Sequence, residues 1–295
     1  MSKLTQLSNR DILFIAGENS RTYHHTAGLV LLEKKGRSAI GFDEFRGHVI
    51  ERVSRIPHLH WRLHEVPLGL DMPYWVEDEK FSYDHHIKRI AVPSPGDREA
   101  LGEVVSHLYA KHLDRSRPLW EIWFIEGLAG GRCAILQKLH HGLMDGQGAM
   151  KLGEVMCDLE PGAAPREMES TIADARAGDS PEQWQQYVNA ADHLSRIPGR
   201  VGREMIDLLQ SRVRKRFAGS AEVEQEKPPV PATFFNGDIG SDRGFVFASV
   251  PLAAVKKIKS QFEVTVNDVV LALVGTSLRE YMLAIGELPQ QSLRT

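Results

Sequence analysis

The sequence predicts an α/β protein with mixed sheets arranged in two lobes. Strand and helix patterns alternate through the first 160 residues, which is typical of α/β folds. A stretch rich in proline, glycine and charge follows, and strand and helix patterns resume after residue 230. We therefore expect an N-terminal lobe at residues 1–160, a crossover linker with helices at residues 161–230, and the start of a C-terminal lobe at residues 231–295.

The elements of the first lobe follow from local patterns. Short apolar runs predict strands at residues 27–33, 120–125 and 133–139, and partial alternation predicts further strands within residues 75–92. Apolar positions at helical spacing predict helices at residues 42–53 and 96–113. Asp97 can cap the second of these helices, and Gly130-Gly131 suits a tight hairpin turn between the last two strands.

The later elements are fewer. Helical patterns predict helices at residues 181–195 and 200–217 in the linker, and at residues 251–260 and 267–283 in the second lobe. We also expect a strand at residues 245–250. The second lobe has too few residues to bury a good core by itself, so we expect it to be truncated.

Composition limits the function. The chain has 36 basic and 39 acidic residues and a net charge of −3, so a nucleic-acid-binding surface is not predicted. Its two cysteines, Cys133 and Cys157, exclude a disulfide scaffold and suit a reduced, cytoplasmic compartment. No apolar run approaches the roughly 18 residues of a membrane-spanning helix, and no secretory signal is apparent. We therefore expect any membrane contact to be peripheral.

The most informative segment is residues 133–150, CAILQKLHHGLMDGQGAM, in which an apolar strand runs into His140 and His141. Imidazole suits general-base work because its unperturbed pKa is about 6.5. Adjacent strand residues point to opposite faces, so one ring should face a cleft and the other the interior. Asp145 can cap the helix that follows and fix the turn, and Gly146 lets a ligand approach closely.

The His-His-x-x-x-Asp-Gly pattern resembles that of the chloramphenicol-acetyltransferase-like superfamily of CoA-dependent acyltransferases. Two other segments narrow the resemblance to bacterial wax ester synthase/acyl-CoA:diacylglycerol acyltransferases. Residues 113–121, LDRSRPLWE, are similar to that family's Pro-Leu-Trp motif, and residues 265–272, TVNDVVLA, to its Asn-Asp motif. A further short signature matches at Phe235-Asn-Gly237. The motifs occur in the family's order, and the resemblance covers nearly the whole chain.

The resemblance implies a two-lobe, mixed-sheet fold of the chloramphenicol-acetyltransferase type, with the second lobe truncated. It implies that His141 is the general base, that His140 is structural, and that Asp145 and Gly146 orient the motif. The base takes the proton of an acceptor hydroxyl, whose oxygen attacks the thioester of acyl-CoA without an acyl-enzyme. No cofactor and no metal are implied, and acyl-CoA is a substrate.

The remaining roles also follow from the resemblance. The acceptor is diacylglycerol or a fatty alcohol, which gives triacylglycerol or a wax ester. Pro118, Leu119 and Trp120 shape the acyl or CoA region, while Asn267 and Asp268 support the site from the second lobe. Since members of the family are longer, we expect this chain alone to have little or no activity.

Simpler interpretations stay open for several residues. The histidine pair can be structural, or it can bind a metal. Residues 118–120 can be the start of a strand with a core tryptophan, and Asn267 and Asp268 can be a helix-capping pair. For the whole chain the alternatives are an inactive lipid-binding remnant of this fold and an acyltransferase resembling a peptide-synthetase condensation domain.

One basic segment suggests a membrane partner. Residues Arg200–Arg216 carry six basic and two acidic side chains, with apolar residues near one face of the predicted helix. Basic amphipathic helices can lie on anionic membranes. This pattern indicates a peripheral contact with a lipid droplet or with the inner face of the plasma membrane. The alternative is a solvated helix that packs between the lobes.

Overall fold

The structure, a computed structural model, describes residues 5–8, 11–33, 40–144, 146–158, 182, 184–193, 195, 231 and 233–293. The chain divides into two compact units. The first comprises Met1–Ser211 with Ser241–Phe245, and the second comprises Arg212–Gly240 with Val246–Thr295. The predicted α/β class is confirmed, whereas the predicted lobe boundaries at residues 160 and 230 stay predictions.

The described strands belong to two sheets of the first unit. In chain order they are β1 (Thr5–Gln6), β2 (His25–Leu32), β3 (Trp61–His64), β4 (Tyr74–Glu77), β5 (Ile87–Ala91), β6 (Trp120–Leu128) and β7 (Arg132–His140). The smaller sheet has the order β1-β4-β3, and the larger has the order β2-β7-β6-β5. The larger sheet is antiparallel except for the parallel pair β5 and β6, so its strand directions are mixed, as predicted.

The described α-helices lie in both units. They are α1 (Asp11–Ala16), α2 (Phe42–Val53), α3 (Tyr83–His86), α4 (Arg98–Tyr109), α5 (Gly146–Met156), α6 (Leu252–Phe262) and α7 (Val266–Ala284). Residues 184–193 are also helical. In the part of the chain that the structure describes, no helix combines the length and apolar character needed to cross a membrane.

The two faces of β7 are buried for different reasons. One face carries Cys133 and Leu139, which belong to the main hydrophobic cluster together with buried residues of α2 and α5. The other face carries Lys138, whose ammonium donates to the carbonyls of Leu108 (3.0 Å) and Lys111 (2.5 Å) at the end of α4. Burial lowers the pKa of Lys138 to about 8. The lysine therefore ties the C-terminal end of α4 to the central strand.

Several predicted elements are confirmed and others need correction. The helix at residues 42–53 is found with those bounds, and Asp97 caps α4 by accepting from the N–H of Ala100 (2.9 Å). The predicted hairpin turn contains Gly130 and Gly131, both at positive φ. Residues 75–92 contain the short helix α3 between two strands. The strand predicted at residues 245–250 is wrong, because these residues form no strand in the structure.

Among the described residues, the second unit contains the α-helices α6 and α7. α7 begins with a capping box in which the Thr265 hydroxyl accepts from the N–H of Asp268 (3.2 Å), and the Asp268 carboxylate accepts from the N–H of Thr265 (2.8 Å). This reciprocal pair satisfies two backbone donors at the start of the helix. The hydroxyl and backbone hydrogen bonds from Thr265 hold the pKa of Asp268 below its usual value.

Candidate active site

The histidine pair lies at the end of the central strand of the larger sheet. β7 is paired with β2 on one side and with β6 on the other. The backbone N–H of His140 donates to the carbonyl of Leu119 (3.0 Å), and that of His141 donates to the carbonyl of His24 (2.9 Å). Both imidazoles therefore project from a backbone that the neighbouring strands hold in place.

His140 is a buried residue with a defined proton position. Its side chain is 1% exposed, and its Nδ1 accepts from the N–H of Gly142 at 2.9 Å. A neutral imidazole that accepts at Nδ1 carries its proton on Nε2. That nitrogen lies 3.7 Å from Oε2 of Glu18. Burial lowers the pKa of His140 to about 4, so the ring is neutral at pH 7.

His141 is only half-buried, in contrast to its neighbour. Its ring stacks on Phe14 of α1, with 5.0 Å between the ring centroids and 23° between the planes. Phe14 also makes an edge-to-face contact with His24 at 5.7 Å. The alternation of the two histidines between interior and surface agrees with the prediction from strand geometry. The arrangement presents an oriented imidazole that an external hydroxyl can reach.

A buried carboxylate organises the charges behind the pair. The side chain of Glu18 is 4% exposed and accepts from the Arg115 guanidinium at 2.9 and 3.2 Å. Nδ1 of His112 lies 3.3 Å from the same carboxylate. Burial raises the pKa of Glu18, but the Arg115 hydrogen bond and the nearby charges outweigh it, so the pKa lies below its usual value. At neutral pH the Nε2–H of His140 therefore faces a negative charge.

The sequence analysis did not identify Glu18, Arg115 or Phe14 as residues of the candidate site. Glu18 is a single acidic residue after α1, and no local pattern marks it. Arg115 lies inside the segment chosen for its Pro-Leu-Trp motif, where its basic character next to a buried strand was the available signal. Phe14 lies in a short apolar run that gives no hint of a contact with an imidazole.

Gly142 fits a space that no larger residue can enter without displacing a neighbour. A Cβ at this position would lie 3.0 Å from Cδ1 of Ile15 and 3.2 Å from Nδ1 of His140. We expect Gly142→Ala to lower the free energy of unfolding by about 1–3 kcal/mol, as overpacking does. Urea unfolding followed by tryptophan fluorescence measures this change.

The matched control for Gly142→Ala is Gly153→Ala. Nothing lies within 4 Å of a Cβ built at Gly153, which is inside α5. Alanine should raise helix stability there by up to about 1 kcal/mol. Equal effects of the two substitutions would show that the turn after His141 has more room than the structure indicates.

The Pro-Leu-Trp residues are part of the core. Pro118, Leu119 and Trp120 are all buried. The indole N–H of Trp120 donates to the carbonyl of Leu59 at 2.7 Å, and its ring stacks on His86 at 4.4 Å. This placement favours the simpler interpretation, a strand entry with a core tryptophan, over direct contact with an acyl chain or CoA.

We expect Trp120→Phe to destabilise the first unit by about 1–3 kcal/mol, because it leaves the buried carbonyl of Leu59 without its donor. Far-UV circular dichroism during urea unfolding measures the effect without relying on the deleted indole. Trp184→Phe is the control, since Trp184 is 61% exposed. A Trp120→Phe protein as stable as this control would contradict the core assignment.

The other predicted site residues are distributed differently. Asp145 lies outside the described residues, and Gly146 is the first residue of α5. Asn267 and Asp268 are exposed at the start of α7 in the second unit, where Asp268 forms the capping box described above. Within the described ranges, no group of three histidine, cysteine, aspartate or glutamate side chains is placed to hold a metal ion.

The sequence of this chain is similar to those of known proteins. Residues 7–270 match the family model described as the wax ester synthase/diacylglycerol acyltransferase catalytic domain. The chain is 33% identical over 259 residues to a Mycobacterium tuberculosis protein named as a candidate diacylglycerol O-acyltransferase, an alignment that covers 85% of this chain and 49% of that protein. It is 34% identical over 259 residues to a second M. tuberculosis protein, named a probable diacylglycerol O-acyltransferase, with 86% and 53% covered.

A solved structure shows the same fold. The wax ester synthase/diacylglycerol acyltransferase from Marinobacter aquaeolei VT8 superposes with a TM-score of 0.67 at 27% sequence identity. The superposition covers 97% of this chain and 63% of that chain. This chain spans about half the length of the two M. tuberculosis relatives.

Proposed function

This chain belongs to the wax ester synthase/diacylglycerol acyltransferase family, and from that premise we propose that it carries the acid–base residues of an O-acyltransferase. The reaction moves a long-chain acyl group from acyl-CoA to diacylglycerol or to a fatty alcohol. The observation that carries the proposal is the half-exposed imidazole of His141, held by Phe14 beside a buried and neutral His140.

In the proposed step, His141 accepts the proton of the acceptor hydroxyl, while the oxygen of that hydroxyl forms a bond to the thioester carbonyl carbon. The carbon–sulfur bond then breaks, and the proton passes from His141 to the departing thiolate. General-base assistance of this kind contributes about 10²–10⁴ in rate. The chain's own contribution is the position of the base, which the backbone bond to His24 and the contact with Phe14 fix.

Direct attack by the alcohol needs no enzyme nucleophile. Cys133 is 4% exposed, and burial raises the pKa of its thiol, so it is unsuited to attack a thioester. The proposed scheme therefore does not use Cys133. Acyl-CoA is a substrate in this scheme, and the proposal includes no cofactor.

The proposed location is the cytoplasm, with a peripheral contact to membrane or lipid droplets through Arg200–Arg216. That segment lies outside the described residues, so its sequence alone supports the contact. Flotation with anionic liposomes tests it. The wild type should float, and a variant with Arg212, Arg214 and Arg216 changed to Glu should not. Equal flotation of the two proteins would contradict the membrane contact.

The transferase proposal is tested with two proteins. One is this chain alone, and the other is a chimera in which it replaces the matching 63% of the Marinobacter chain. Thiol release is followed with palmitoyl-CoA and either dioleoylglycerol or hexadecanol. We expect the chimera to form ester and the chain alone to do so weakly. A folded chimera that forms no ester would contradict the proposed function.

A further inference from the structure

A cavity of about 840 Å³ lies in the first unit next to α1. Residues 12 and 16 of α1 line it, while residue 14 on the opposite face of the helix contacts His141. The cavity is therefore separated from the proposed base by the thickness of one helix. Its volume lies within the range of small-molecule binding sites.

The cavity lining combines apolar and polar side chains. Leu7, Ile12, Ile15, Val66, Leu70 and Met72 supply the apolar side chains. Gln6, Ser8, Glu65, Asp71, Arg115 and His193 supply the polar ones. A ligand that fits such a lining has a hydrocarbon part and a polar head.

An aspartate–histidine pair lies in the cavity lining. Nδ1 of His193 lies 2.9 and 3.0 Å from the two carboxylate oxygens of Asp71, whose side chain is 6% exposed. The Asp71 carboxylate also accepts from the Gln6 amide (2.9 Å) and from the N–H of Met72 (2.8 Å), which fixes its orientation. A carboxylate only accepts hydrogen bonds, so Nδ1 of His193 carries a proton. In the neutral ring, Nε2 is then a hydrogen-bond acceptor, as in the aspartate–histidine part of a hydrolase triad.

The histidine can reach a ligand. Its side chain is 40% exposed and lines the cavity, in contrast to the buried aspartate that holds it. The helical residues 184–193 also bond to the smaller sheet through Asn189, whose amide donates to the Tyr74 hydroxyl (3.3 Å). The position of His193 therefore depends on contacts at two points of its helix.

The charges of the cavity lining favour a ligand whose polar group is neutral. An anionic head would meet the carboxylates of Asp71 and Glu65. The guanidinium of Arg115, which could attract an anion, is already paired with Glu18 at 2.9 Å. A hydroxyl, by contrast, can donate its proton to Nε2 of His193 without bringing a charge into the cavity.

We propose that this cavity binds a neutral, hydroxyl-bearing lipid, whose O–H donates to Nε2 of His193 and whose alkyl chain lies along the apolar side chains. The preference for a neutral hydroxyl over a carboxylate rests on the cavity lining alone.

Isothermal titration of the chain with 1-decanol, 1-monodecanoylglycerol and decanoate tests the proposal. We expect the two hydroxyl lipids to bind saturably and decanoate to bind at least tenfold more weakly. His193→Ala should weaken decanol binding by about 3- to 10-fold, the worth of one hydrogen bond. Leu70→Trp, at a cavity residue that is 39% exposed, should abolish binding by filling the space. His85→Ala, at an exposed histidine outside the cavity lining, should bind decanol like the wild type.

The possible outcomes separate this proposal from the proposed function. Absent decanol binding, equal binding by the His193→Ala protein, or tighter binding of decanoate would each overturn the cavity proposal, even if the chimera transfers acyl groups. Decanol binding that follows the expected order, together with an inactive chimera, would uphold the cavity and overturn the transferase.

Discussion

Replacement of His141 by alanine is expected to lower ester formation by the chimera about 10²–10⁴-fold, the usual contribution of a general base. The substitution removes the group that accepts the hydroxyl proton and leaves the N–H bond to the carbonyl of His24 in place. We expect the loss in kcat, with the KM for acyl-CoA nearly unchanged, because proton acceptance matters only in the transition state. Steady-state thiol release over a range of palmitoyl-CoA concentrations measures both parameters.

Two other histidine variants make this result interpretable. His85→Ala changes an exposed histidine of another adjacent pair, and it should retain full activity. His140→Ala should instead lose stability, because it removes a buried ring that accepts from Gly142. Urea unfolding must show that the His141→Ala protein is about as stable as the wild type. A stable His141→Ala protein that retains half of the wild-type kcat would exclude His141 as the base.

Local sequence patterns were sufficient to predict much of the secondary structure of the first unit. α2 has the bounds that its apolar spacing predicts, and Asp97 caps α4 as its position predicts. The end of β7 could also be located, because an apolar run that ends in two histidines and a glycine signals both a strand and its termination. These features depend on neighbours within a few residues, which is the information that a single sequence carries.

Features that depend on distant partners were not predictable in the same way. Residues 245–250 form no strand in the structure, and within the segment Phe245 is half-buried while Val246 is 94% exposed. A strand pattern predicts an extended backbone, whereas the hydrogen bonds that make it a strand must come from elsewhere in the fold.

The candidate site also combines features set by sequence neighbours with features set by distant residues. His140 and His141 stand out because they are adjacent to each other and to a glycine. The bond between Glu18 and Arg115 joins residues 97 positions apart, and Phe14, which stacks on His141, is still more remote from it in sequence. The charge behind His140 and the orientation of His141 are tertiary properties, so only the structure places these residues together.

Acidification is expected to destabilise the first unit strongly between pH 6.5 and pH 5. His25, His86 and His140 are each about 2% exposed or less, and burial lowers the pKa of each from 6.5 to about 4. Between these two values the unfolded chain binds a proton at each position and the folded chain does not, so the free energy of unfolding falls as the pH falls. Each histidine contributes up to about 1.4 kcal/mol per pH unit, and the three together about 4 kcal/mol per pH unit.

Tryptophan fluorescence in urea at pH 7.0, 6.0 and 5.5 measures this slope in the first unit alone, because all five tryptophans lie there. Glu18 also has a lowered pKa, but its contribution to the free energy of unfolding is lost only below the pKa of glutamate in the unfolded chain, about 4.3. The range above pH 5 therefore reports the histidines.

One substitution tests the assignment of this slope to buried histidines. His86→Phe should retain the stacking on Trp120 (4.4 Å) and on Phe81 (5.1 Å), while it loses the Nδ1–H bond to the carbonyl of Trp120. We expect lower stability at pH 7 by about 1 kcal/mol and a slope reduced to roughly two-thirds, since one of three proton-binding groups is gone. His85→Ala, at the exposed neighbour, should leave the slope unchanged. If His86→Phe kept the full slope, the acid sensitivity would have to come from groups other than these three rings.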